Sequence, residues 1–225
     1  MTVPATKPSP PPTPPPTRRI GILLYPGVEA LDFAGPFEVF TTASRMALRL
    51  APAAAPPFAV CTLARSSAMP QGLVAARAGL RVAVDHALGD HPPLDWLLVP
   101  GGVVDAELQQ PSALAWLAAT APGCEGVASV CTGAFLLAAA GLLPTGMAVC
   151  THWEDAEALQ RAHPTLQVQP QRRYIDCGRI VTSAGISAGI DMSLHLVARL
   201  AGMALAERTA RQMDVVWTRD SAAAA

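Results

Sequence analysis

What narrows the fold of this chain most is an alternation. Short, nearly uncharged apolar runs recur along it, and each is followed by a turn or by a stretch with helical character. "RIGILLY", from Arg19, precedes "AGPFEVFTTASRMAL", which reads as a helix with Pro36 at its permitted first turn. "PFAVCTLAR" and "GLRVAVDHAL" read as two further strands. "DWLLVPGG" reads as a buried strand stopped by a Pro-Gly-Gly turn, with a helix expected from about Ser112 to Thr120. "EGVASV" leads into its own helix, and "GMAVC" into the amphipathic "WEDAEALQRAH", whose acidic residues stand near its N-terminus. Runs without polar alternation are strands covered on both faces, so the alternation predicts a doubly wound α/β fold: a mostly parallel sheet with helices on both sides.

The pattern pauses near the end. "LQVQ", "RRYIDC" and "GRIVTSAG" look like strands separated by turns, which predicts a small β-insertion or edge hairpin. "SAGIDMSLHLVARLAG" then resumes as a long buried helix. A last helix is expected over about Ala204 to Trp217, with Ala206, Ala210, Met213 and Trp217 on one side.

With 225 residues, 51% hydrophobic and 15% charged, residues 18–225 suffice for one substantial core and one domain. The first 17 residues, "MTVPATKPSPPPTPPPT", are Pro-rich and are expected to form a disordered tail, since proline has no backbone donor for helix or sheet. They contain no apolar stretch of the secretory kind, and no segment approaches the roughly 18 apolar residues of a membrane span, so a cytoplasmic location and no membrane partner are expected. Lys and Arg total 16 against 17 Asp and Glu, with no basic cluster, which argues against nucleic acid as a partner. The five cysteines (Cys61, Cys124, Cys131, Cys150, Cys177) are odd in number and lack CxxC spacing, so neither a disulfide framework nor a metal site is expected.

In a sheet of this kind ligands bind beyond the C-terminal strand ends. Three features fall there: Asp32 after the first strand, Gly101 and Gly102 after "WLLVP", and Cys131 after "GVASV". A cysteine on a tight strand-to-helix turn is lifted out of the packed layer, and the unpaired amides of the helix start face its sulfur. A helix terminus contributes about 1 to 2 kcal/mol in such a setting, enough to bring a thiol from about 8.5 to roughly 7 or 7.5. Cys131 is therefore expected to be substantially thiolate at neutral pH. The bland alternative is a small buried hydrophobe, the common fate of free cysteines. "SVCTG" has the small-residue profile of a nucleophile elbow, Gly133 allowing close helix–strand approach, although Ser129 stands where the hydrolase elbow has glycine.

"LDFAGPFEVF", "LLVPGG", "SVCTGAFLLAAAGLL", "THW" and "VTSAGISAGIDMSLHLV", in this order and spacing, resemble the DJ-1/PfpI superfamily of flavodoxin-like proteins over about residues 19–217. Within it the chain is similar to the bacterial isonitrile hydratases, which have Asp at the acid position, here Asp32, and Thr after the cysteine, here Thr132. The resemblance implies a cofactor-independent enzyme that adds water to an isonitrile, R–N≡C, to give an N-substituted formamide, and it implies a homodimer. In the implied chemistry the Cys131 thiolate attacks the terminal carbon, protonated Asp32 supplies a proton, and Asp32, once ionised, activates water. A backbone N–H near Gly102, with that of Thr132, is expected to hold developing negative charge, and the Thr132 hydroxyl to position substrate or water.

Asp32 has a plain reading as a helix cap before a helix beginning near Gly35, and Gly101 and Gly102 as a turn. His152, in "CTHW", is an auxiliary candidate whose bland reading is packing beside Trp153. Cys150 reads as strand core, and Asp176 and Asp191 as turn and helix-start residues. Three other functions stay open. One is a ligand-sensing domain related to AraC-type regulators, although only "TRDSAAAA" follows the last expected helix. The others are a glyoxalase- or deglycase-like thiol enzyme and a redox sensor.

Overall fold

The computed structural model describes residues 16–219. Seven strands form one sheet, in the order Tyr174–Asp176, Ile180–Ser183, Gly126–Val130, Trp96–Val99, Arg18–Leu23, Phe58–Ala64, His86–Ala87. All neighbours are parallel except the edge pair Tyr174–Asp176 and Ile180–Ser183. The two central strands Trp96–Val99 and Gly126–Val130 are buried at every position, which is why their sequences run apolar without alternation. Gly126 has no side chain because the Trp96 ring fills its space: a Cβ there would lie 2.3 Å from the indole.

Apart from Ala156–Ala162, the α-helices of the described residues form two groups. Ala30–Leu50 packs on Ala188–Ala201 and Met203–Gln212, while Asp105–Leu108, Pro111–Thr120 and Gly133–Ala139 pack on one another. The first helix buries Phe33, Pro36, Phe40 and Ala43, spaced three and four apart, as a helix laid on a sheet must. The architecture is the flavodoxin-like, mostly parallel sandwich that the alternation predicts.

Several details differ from expectation. The first helix starts at Ala30, so Asp32 lies inside its first turn rather than before it. Pro36 lies well within the helix, where its missing N–H leaves the carbonyl of Asp32 without the usual i+4 donor. The last helix ends at Gln212, because the chain turns at Asp214 with φ 54°, and Trp217 packs from beyond it, donating its indole N–H to the Asp191 carbonyl at 3.1 Å. "GLRVAVDHAL" is divided between a small hairpin, Leu73–Ala75 with Arg81–Ala83, and the edge strand His86–Ala87. "GMAVC" pairs as Ala148–Val149 with Gln167–Val168, outside the main sheet. Where a small β-insertion or edge hairpin was expected, an edge hairpin forms: Tyr174–Asp176 pairs antiparallel with Ile180–Ser183, which joins the main sheet directly beside Gly126–Val130. The expected Pro-rich tail falls almost wholly outside the described residues, but Thr17, at its end, is tied down by a 2.6 Å hydrogen bond to the Pro56 carbonyl.

Register decides where the site forms. Val99 pairs with Ser129 and Val130 with Ser183, so three parallel strands end at one level. The segments that leave them, residues 100–102, 131–132 and 184–186, are thereby brought together.

Candidate active site

Cys131 is the first residue past the Gly126–Val130 strand, and its φ of 55° lies in the left-handed region that a side chain ordinarily avoids at a cost of order 1–3 kcal/mol. The conformation is held at both ends: its N–H donates to the Ser183 carbonyl at 3.0 Å, and its own carbonyl accepts from the Thr151 hydroxyl at 2.8 Å. Gly133 follows with no room for a side chain, since a Cβ would lie 2.0 Å from the Val99 carbonyl oxygen. Cys131 is 6% exposed, and it lines a cleft of about 490 Å³ with Thr132, Phe135, His152 and Ile186.

Asp32 has no exposed surface. Its Oδ2 accepts from the Gly101 amide at 3.1 Å, while its buried Oδ1 has no well-formed hydrogen-bond partner. The thiol of Cys131 lies close enough to the carboxyl to share a proton with it. Burial pushes Asp32 up to about 7 against the opposing pull of Cys131 and the Gly101 amide, and Glu29 adds to the rise. Burial, and then the Asp32 charge, push the thiol up to about 12, while the Thr132 amide directed at the sulfur acts in the opposite sense. The expected neutral-pH thiolate is thus corrected. The helix behind the cysteine is only seven residues long, and its start cannot outweigh desolvation plus a neighbouring carboxylate. The physical unit is the pair, which loses one proton near pH 7 and retains the other throughout the neutral range.

The glycines also differ from expectation. The Gly102 amide donates to Thr132 Oγ1 at 2.8 Å, and that hydroxyl donates back to the Gly102 carbonyl at 2.9 Å. With the Gly101 amide on Asp32, neither glycine offers a free N–H for developing charge, and the Thr132 hydroxyl is occupied as well. What these residues supply is proximity: a Cβ on Gly101 would fall 2.5 Å from the Thr132 nitrogen, and Gly102 has φ 131° and is bridged to Val28.

His152 reaches the cleft with its side chain 19% exposed, its Nδ1 3.5 Å from Asp155 and 4.0 Å from Glu154. It does pack beside Trp153, with ring centroids 5.7 Å apart, although the indole itself is 67% exposed. Cys150 lies one residue past the Ala148–Val149 strand and is a fully buried core residue, its N–H and its thiol both directed at Thr182.

Sequence reasoning missed Gly185, Thr151, Tyr25 and Asp155. A Cβ at Gly185 would lie 2.7 Å from Cys131 Sγ, so the "TSAGIS" turn closes directly on the sulfur. Its position after a strand was a usable signal. Tyr25, wholly buried, donates to the Pro100 carbonyl at 2.8 Å and steadies the turn that carries Gly101. Among the described residues no cluster of three or more His, Cys, Asp or Glu is arranged to hold a metal, and no helix is long and apolar enough to cross a membrane.

Comparison with known proteins places this geometry. The chain is 32% identical over 198 residues to isonitrile hydratase of Pseudomonas putida, covering 87% of this chain and 78% of that protein. It is 35% identical over 127 residues to the HTH-type transcriptional regulator GbdR of Pseudomonas aeruginosa, covering 56% of this chain but only 34% of the regulator. The crystal structure of a THiJ/PfpI family protein from Pseudomonas syringae superposes with a TM-score of 0.75 at 26% identity, over 93% of this chain and 80% of that one. Residues 18–199 match the DJ-1/PfpI family, and with the elbow cysteine at the end of a parallel strand and the fold of its solved relatives, the chain belongs to that family.

Proposed function

We propose that the protein adds water to an isonitrile and releases the N-substituted formamide. The observation that carries this reading is the pairing of a cleft-lining elbow thiol with a fully buried carboxyl poised near neutrality. Isonitrile carbon is unusual in taking both a nucleophile and a proton at one atom, and Cys131 and Asp32 together supply that combination. Above pH 7 the pair holds one proton. As sulfur bonds to the terminal carbon, the proton that Asp32 and the thiol share passes to the same carbon from the sulfur side, so that R–N≡C and Cys–SH become the thioimidate R–N=CH–S–Cys. Water then adds to the imidate carbon, the C–S bond breaks, and the formamide leaves with the thiol restored. No cofactor enters this scheme. The similarity to Pseudomonas putida isonitrile hydratase along most of both chains supports it.

The test is formamide production from cyclohexyl isocyanide. Cys131→Ala should lose essentially all turnover while keeping the fold, and retained turnover in that variant would end the mechanism. A second reading, ligand sensing without turnover, is favoured by one observation, the 35% identity to the regulator GbdR. It predicts saturable ligand binding with no product. Lactate from methylglyoxal would instead indicate a carbonyl enzyme, and peroxide-dependent sulfinate at Cys131 without turnover a redox sensor. Pairing as a homodimer is part of the same proposal, and sedimentation equilibrium measures it.

A further inference from the structure

We propose that the two halves of this hydration use different proton carriers: Asp32 serves the addition of the thiol, and His152, held by Asp155, serves the water. The inference rests on the isonitrile reading above and departs from the sequence expectation that Asp32 also activates water.

The reason is access. Asp32 has no exposed surface, one of its oxygens is engaged by the Gly101 amide, and the cleft wall is formed without it. Cys131 touches both environments, the buried carboxyl on one side and the cleft on the other. Once sulfur carries the imidate, that carbon projects into the cleft, and so the water must be activated by a group of the cleft wall. His152 is such a group. The point that a Cβ on Gly185 would occupy lies 2.7 Å from Cys131 Sγ and 2.9 Å from His152 Cδ2, so the Cδ2 side of the imidazole and the sulfur face each other across the Gly185 turn. The opposite nitrogen, Nδ1, lies 3.5 Å from Asp155 Oδ2, with Glu154 at 4.0 Å. A carboxylate there holds the proton on Nδ1 and leaves the Nε2 lone pair free as a base, the same orienting logic by which an acid positions a catalytic imidazole elsewhere.

The steps balance. His152 Nε2 takes one proton from water as the water oxygen bonds to the imidate carbon, and passes it to the imidate nitrogen. The C–S bond then breaks, and the remaining hydroxyl proton passes to sulfur. One water is consumed, and formamide and thiol are the products. In this scheme His152 is a catalytic base and Asp155 a positioning residue.

The experiment is rapid mixing with cyclohexyl isocyanide, followed by mass spectrometry of the intact chain and of its Cys131 peptide. In the wild type the adduct should form and disappear within the turnover time. In His152→Ala and in Asp155→Ala, both checked for native circular dichroism, the adduct should form at the wild-type rate. It should then persist, decaying about a hundredfold more slowly in the histidine variant. Added imidazole should restore decay in His152→Ala, and Asp155→Glu should restore it in the positioning test. Adduct decay at the wild-type rate in both variants overturns the proposal, as does slowed adduct formation with unchanged decay. Should the folded wild type yield neither adduct nor formamide, the isonitrile reading itself fails. Normal formamide release with no effect of these substitutions sinks only the division of labour.

Discussion

Two aspartates of this protein look alike on paper and behave in opposite ways. Asp32 and Asp191 each stand in the first turn of a helix, Ala30–Leu50 and Ala188–Ala201, and these helices pack on each other. Their exposures are 0% and 3%. Asp191 is surrounded by donors: its Oδ2 accepts from Arg173 Nε at 2.6 Å with a second guanidinium nitrogen in contact, and its Oδ1 accepts from the Thr218 amide at 2.9 Å. Asp32 receives one amide and a thiol, and one of its oxygens goes without a well-formed partner. A buried carboxylate with an Arg and an amide is a structural pin, which here fastens the C-terminal segment to its helix. A buried carboxyl left short of donors keeps its proton to an unusually high pH, and it is this incompleteness that makes it useful for chemistry.

The comparison breaks or sharpens under four measurements. The largest effect is expected from Asp32→Asn, which removes the proton carrier. Turnover of cyclohexyl isocyanide should fall by about 10²- to 10⁴-fold. Stability should move the other way. A carboxyl raised to about 7 is a cost that is absent while both folded and unfolded states are protonated, below about pH 4, and fully present above pH 7. The variant should therefore gain about 4 kcal/mol in denaturant melts at pH 8 and little at pH 4. A loss of stability at pH 8 would show that Asp32 is a pin like its counterpart. Next, Arg173→Met strands the Asp191 charge and should cost about 3 kcal/mol, with the thiol adduct still forming. Third, the pH profile of kcat/KM should rise about tenfold per unit toward pH 7 and then level off. The doubly protonated pair lacks a base for the thiol, whereas the singly protonated pair has one, and the next proton is held up to about 12. A profile still climbing from 8 to 10 would assign the reactive proton to a lone thiol. The smallest effect is expected from Asp191→Asn, which keeps the acceptor but gives up the charge pairing; it should cost about 1 to 2 kcal/mol and leave the pH profile in place.

Much of this was legible in the residues. Uninterrupted apolar runs such as "WLLV" and "GVASV" announce strands covered on both faces, and the small residues around Cys131 announce a tight strand-to-helix corner. The start of the first helix was misread because Pro36 looks like a first-turn residue, whereas packing of Phe33, Pro36 and Phe40 holds the helix through the proline. The thiol's ionisation was misread because a local feature, the helix start, was weighed without its tertiary surroundings. Gly101, Gly102 and Thr132 were correctly brought to one place, yet their hydrogen-bonding groups turn toward one another rather than toward a bound molecule.

The amino-acid order alone determined the parallel sandwich, the corner at Cys131 and the neighbourhood of Asp32, because periodicity and turn chemistry act over a few residues. Only the tertiary structure decided which acid stays short of donors, that the thiol is held up rather than lowered, and that Gly185 and His152 close on the sulfur. Burial and electrostatic partnership depend on atoms distant in sequence, and no local pattern reports how many donors will finally face a given oxygen.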